Sequence, residues 1–210
     1  FFTCRTEQQY LQTLDELGQS SETIELIRQL AYLQAFFLKK PQDAIQLLER
    51  SMNLALTAIK KAECKTDLAD IYLYADDIWE ASLLYSQVEK DFPDDPIGHQ
   101  AKFKNAKLTF YAGNFKWARA QLNVLKAATS KLIANDALQL SLLIGDNIAA
   151  DSSFDPLSLY AHADLHIFRN HMDSALLAID TLELLYGKHP IADECLFMKA
   201  GIYKKQRKFE

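Results

Sequence analysis

His162 and His166 stand one helical turn apart, with His171 close behind, so a His-x3-His metal pair can be drawn. No Glu completes an HExxH arrangement, and histidines held by hydrogen bonds in a core are the plainer reading. Asp76-Asp77 and Asp94-Asp95 offer paired carboxylates for acid–base work or calcium, yet both doublets fall where turns between helices are expected, and capping accounts for them there. Asp146, Asp151 and Asp155 do not follow an EF-hand loop, which needs a central Gly and a terminal Glu. Cys4, Cys64 and Cys195 are odd in number and widely spaced, which suits neither a disulfide framework nor a zinc module. There is no Gly-rich phosphate loop, no Ser nucleophile elbow and no CxxC. No catalytic residue, metal or cofactor is therefore expected, and the chain is read as a non-enzyme.

The elements that carry these residues are constrained by composition. Of 210 residues, 49% are hydrophobic and 24% charged, ordinary values for a chain with a sizeable core. Only six Gly and five Pro are present, too few for the many corners of a sandwich or barrel, so long helices with short connections are favoured. The net charge of −5 gives no global attraction to nucleic acid or anionic lipid. The one basic run, Lys199, Lys204, Lys205, Arg207 and Lys208, reads as a solvated helix end. No stretch approaches 18 uncharged apolar residues, so no membrane insertion is expected. The chain opens at Phe1 without an initiator Met or a signal peptide and stops at Glu210 inside a helical pattern, as a piece of a longer array would.

A repeat organises the middle of the chain. Ala44, Ala81 and Ala118 follow one another at 37-residue intervals, each just after a turn: Leu38-Lys39-Lys40-Pro41, Asp76-Asp77 and Gly113-Asn114. Leu68 and Tyr72 lie one turn apart and point inward, while Ala69 and Ala81 are small enough for two antiparallel helices to approach closely. Tyr85 fills the second helix's face and Pro93 follows where that helix cannot continue. A further copy runs through Ala163, Asn170-His171-Met172, Ala175, Ile179 and Leu182, but Ala175 comes 57 residues after Ala118, so one helix is extra. It is placed at Lys131–Ile148, where Leu132, Leu138, Leu140, Leu142, Leu143 and Ile144 predict a helix apolar on most sides and hence buried.

Boundaries follow from caps. Gln8–Leu17 reads as a helix ended by Gly18, Ser20–Thr23 offers capping for the next, and Asp95-Pro96 and Asp155-Pro156 each place an acidic cap before a Pro at the first helical position. In this frame His162 and His166 take the places of Leu68 and Tyr72 and should face the hairpin core. About eleven helices and no sheet are expected, in one domain over 1–210. Its units are an N-terminal helix (1–20), 21–60, 61–97, 98–130, the extra helix (131–155), 156–191 and a truncated repeat (192–210).

Leu68-Ala69, Tyr72, Ala81, Tyr85 and Pro93 resemble the tetratricopeptide pattern at the same spacings, with Lys65 where that pattern has Trp. The resemblance covers nearly the whole chain and implies a right-handed superhelical solenoid of antiparallel helix pairs whose first helices line a concave groove. Trp79–Lys90, Ile97-Gly98-His99 and Leu125–Leu132 also resemble a group of uncharacterised bacterial tetratricopeptide proteins similar to exported, periplasmic ones. That implies an exported location, with the cytoplasm as the alternative.

Such a groove implies a protein-binding scaffold that holds a peptide or partner segment. Positions stepping i, i+4, i+7 away from the core face are Thr66, Asp70 and Leu73, then Phe103, Lys107 and Phe110, then Tyr160, Asp164 and Ile167, with Tyr74 and Tyr111 alongside. An aromatic floor with Asp70 beside Lys107 and later Asp164 suits an extended segment with apolar anchors and one or two charges. The alternative for the aromatics is packing between hairpins. Chaperone-type members of the family grip a carboxylate with Lys, Arg and Asn; Thr66 and Asp70 depart from that set, so carboxylate clamping is not expected. Two other functions are a recruiting or regulatory domain beside a catalytic module elsewhere, and homo-oligomerisation through the apolar N-terminal hairpin face of Gln29, Leu33 and Phe36.

Overall fold

The computed structural model describes residues 2–128, 131–150 and 153–206. Among these, eleven helices succeed one another and no strand occurs, so the fold is all-α. They are α1 (Phe2–Leu17), α2 (Ile24–Phe36), α3 (Pro41–Ser51), α4 (Ala58–Tyr74), α5 (Ile78–Asp91), α6 (Pro96–Tyr111), α7 (Phe115–Ala128), α8 (Lys131–Ala150), α9 (Asp155–Phe168), α10 (Met172–Tyr186) and α11 (Ala192–Lys205).

Four hairpins, α2–α3, α4–α5, α6–α7 and α9–α10, turn through a left-handed residue, the first with one residue more in its bend than the other three. Lys39, Asp76, Gly113 and Asn170 hold left-handed backbone, with φ of 58°, 70°, 78° and 57°. The next N–H in each case reaches back to close the preceding helix: Lys40 to Gln34, Asp77 to Tyr72, Asn114 to Thr109 and His171 to His166, at 2.8–3.1 Å. Four residues on, Ala44, Ala81, Ala118 and Ala175 are all fully buried.

The chain divides into two compact units, Phe1–Asn105 and Ala106–Glu210, with the division inside α6. In the first, α2 packs on α1, α3 and α4, and α4 also packs on α3 and α5. The core holds Ile27, Leu30, Leu48, Leu68, Ile71, Tyr85 and Val88; burying each such side chain is worth ~1.5–3 kcal/mol. The Glu7 carboxylate, buried, accepts from Gln34 Nε2 at 3.1 Å and Lys40 Nζ at 2.9 Å, fastening α1 to the first hairpin. Burial would raise its pKa, but those two donors outweigh burial and hold it below the ordinary carboxylate value. At the start of α6, a methyl on Gly98 would lie 1.7 Å from the Phe92 carbonyl oxygen, so only glycine permits that approach.

In the second unit α7 packs on α8, α9 on α10, and α10 on α11. Helix α8 stands where the extra helix was expected but is not enclosed: it turns Ala137, Ser141 and Ile144 inward, a single i, i+4, i+7 stripe, and leaves Leu132, Leu138 and Leu142 exposed. Helix α9 likewise buries Leu157, Ala161 and Leu165, one residue ahead of the histidines, so His162 is exposed and His166 half-buried rather than both facing the core.

Caps divide. Asp77 Oδ1 accepts from Glu80 N at 3.2 Å and Asp95 Oδ1 from Ile97 N at 3.0 Å, as the doublets implied. Asp155 is instead the first residue of α9, its own N–H bonded to Ser153 Oγ. Thr23 makes no cap bond to α2: its hydroxyl oxygen accepts from Ser20 N at 2.9 Å and its proton goes to Gly18 O at 2.8 Å, which folds the connection on itself. Helix α1 begins at Phe2 rather than Gln8, and Gly18, at φ +76°, ends it as expected.

Candidate functional site

Helix periodicity puts Glu25 and Arg28 on one face of α2, and Glu63 and Asp67 on one face of α4. The two faces meet. Arg28 bonds Asp67 at 2.5 Å, Glu63 at 2.7 Å and Glu25 at 2.8 Å. Burial alone would lower the Arg28 pKa; Asp67, Glu25 and Glu63 together raise it instead. Burial pushes the Asp67 carboxyl up, with Asp70 adding to the shift and Arg28 opposing it.

Beside this cluster lies a cleft of about 400 Å³. Tyr10 of α1, Leu33 and Tyr32 of α2, and Phe37 just after α2 give it apolar walls, while Glu25, Arg28 and Asp67 give it a charged side. The Tyr10 hydroxyl donates to Gln29 Oε1 at 2.9 Å, and Gln29 Nε2 donates to Glu25, so the tyrosine and the acidic rim hold each other in place. Tyr32 is 56% and Phe37 53% exposed, and their rings meet edge-on at 5.9 Å. Of the hairpin face expected to be apolar, Gln29 is exposed, Leu33 half-buried, and Phe36 buried against the Tyr74 ring at 4.9 Å.

The positions singled out in the sequence separate into packing and surface residues. Thr66, Leu73, Phe110 and Tyr111 are buried; the Thr66 hydroxyl is spent on Ala62 O in its own helix, and Phe110 stacks edge-on against Phe115 at 5.4 Å. Asp70, Tyr74 and Phe103 are half-buried in the first unit, as are Lys107, Tyr160, Asp164 and Ile167 in the second. The cation beside Asp70 is Lys104, which with the Tyr85 hydroxyl occupies both carboxylate oxygens. Lys107 pairs instead with Asp164 Oδ2 at 3.0 Å, and the Tyr111 hydroxyl donates to the same oxygen at 3.0 Å. Burial and the Asp164 charge raise the pKa of both Tyr111 and Tyr160, so both stay protonated donors.

Among the described residues no group of three or more His, Cys, Asp or Glu side chains is placed to hold a metal ion. The His166 and His171 rings lie 6.3 Å apart. Cys64 and Cys195 are fully buried, and burial raises their thiols to about 11 and about 12, which suppresses the thiolate a nucleophile needs. No described helix is long and apolar enough to cross a membrane.

Sequence reasoning missed the cleft residues Tyr10, Glu25, Arg28, Tyr32 and Phe37. The signal was present in the Glu25/Arg28 and Glu63/Asp67 spacings, but that the two pairs face one another is a tertiary fact. No protein-family model matches the sequence, and no curated protein matches it significantly.

Proposed function

We propose that this chain is a non-catalytic interaction module of tetratricopeptide type, a scaffold of antiparallel helix pairs that holds a peptide or partner segment. The observation that carries the reading is the open cleft of the first unit, where exposed Tyr32 and Phe37 adjoin the Glu25–Arg28–Asp67 cluster. Aromatic anchors beside oriented polar groups are the usual composition of a peptide-binding hot spot, whereas an enzyme needs a sequestered, preorganised pocket. The repeated left-handed corner and buried alanine support the tetratricopeptide assignment.

Selection of a displayed random-nonamer library on the immobilised chain tests this. One enriched consensus is expected, binding the chain in a one-to-one, saturable calorimetric titration in the micromolar range (~−8 kcal/mol). A selection that enriches nothing above bare support sinks the reading.

A further inference from the structure

We infer that the cleft of the first unit receives an arginine or lysine side chain of the bound segment, with a neighbouring apolar residue of that segment lying on Tyr32 and Phe37. The inference rests on the interaction reading above and specifies its partner's chemistry.

Charge decides the sign of the ligand. Three carboxylates, Glu25, Glu63 and Asp67, surround the single guanidinium of Arg28, so the cluster carries two negative charges in excess. Asp70 adds none that is unpaired, since Lys104 sits on it. Arg28 is a poor anion receptor: its Nε and Nη1 donors are committed to the three acids, and an incoming carboxylate would meet a net negative field. A purely apolar segment would strip water from Glu25 and Asp67 without replacing the lost hydrogen bonds. A guanidinium or ammonium replaces them.

Shape agrees with charge. Tyr10, Tyr32 and Phe37 line the same cleft as Glu25 and Asp67. A long basic side chain lays its methylene stem along such rings while its head meets the carboxylates, and a cation within ~6 Å of a ring centroid gains attraction from the ring itself. A volume of about 400 Å³ accommodates one such side chain together with part of its neighbour. Glu25, 59% accessible at its side chain, is the most exposed of the three carboxylates and so the one most open to an incoming cation.

The test retains four degenerate nonapeptide libraries, capped at both ends, on the immobilised 210-residue chain. Their central residue is fixed as arginine, lysine, glutamate or leucine. The arginine and lysine libraries should be retained about tenfold above the glutamate library, and the margin should shrink on going from ~50 to ~500 mM salt. Glu25→Lys should abolish that margin and Tyr32→Ala reduce retention about fivefold; both side chains are exposed, and circular dichroism on each variant confirms the fold. Glutamate-centred retention equal to arginine, or a basic preference that survives Glu25→Lys, overturns the inference and leaves the interaction reading standing. No retention of any library overturns both.

Discussion

The hydroxyl of Tyr111 donates to Oδ2 of Asp164 across 53 residues of sequence, and Lys107 reaches the same oxygen. One carboxylate therefore ties α6 to α9. Hydrogen bonds to charged groups contribute ~1.5–3 kcal/mol, whereas a partly exposed ion pair contributes ~0.2–1. Asp164→Ala should cost about 2 kcal/mol in urea unfolding and Lys107→Ala less than about 1; equal losses would show that the ion pair, not the tyrosine bond, carries the contact.

The left-handed corners make opposite predictions for different residues. Non-glycine side chains pay ~1 kcal/mol there, so Lys39→Gly and Asn170→Gly should each stabilise by about 0.5–1 kcal/mol, the gain reduced by the added freedom of the unfolded chain. Gly113→Ala should destabilise by about 1 kcal/mol, with open space around it ruling out a clash as the cause. Melting temperatures of the three variants, ordered otherwise, would remove the strain account.

His166 makes the second unit sensitive to acid. Burial, aided by the charges of His171, Arg169 and His162, lowers its folded pKa beneath the ordinary 6.5. The unfolded chain therefore binds the proton more readily, so the contribution is whole above pH ~6.5 and is lost as pH falls through the folded value. Stability measured between pH 7.5 and 5 should decline less in His166→Gln than in the wild type. Parallel pH profiles would refute this.

Cys64 and Cys195 should resist alkylation at pH 8, since both thiols are buried and titrate near 11 and 12. Peptide mapping after iodoacetamide should find both unmodified in the native protein and labelled in ~6 M guanidinium chloride. Fast native labelling of either would show that its helix opens readily.

Local patterning carried the helices well. Shortage of Gly and Pro, the 37-residue alanine spacing, and Asp77 and Asp95 as caps all have counterparts in the fold, because each depends on neighbours within a turn or a hairpin. What failed depended on distant partners. The apolar side chains of α8 suggested enclosure, yet among the described residues its buried stripe packs on α7 and Leu132 is left 72% exposed. Lys104 rather than Lys107 reached Asp70, one turn away along α6, since helical phase against another element cannot be read from spacing within one. The acidic, aromatic cleft was invisible for the same reason: α1, α2 and α4 each supply a part that means nothing alone.

Lys39, Asp76, Gly113 and Asn170 share a backbone conformation and a closing hydrogen bond, yet no two are the same amino acid. Such corners are bounded by torsion angles rather than by chemical identity, so the likeness of these hairpins lies in their dihedrals more than in their letters. Comparisons that score residue type will lose the relationship first at the very places where the chain bends alike.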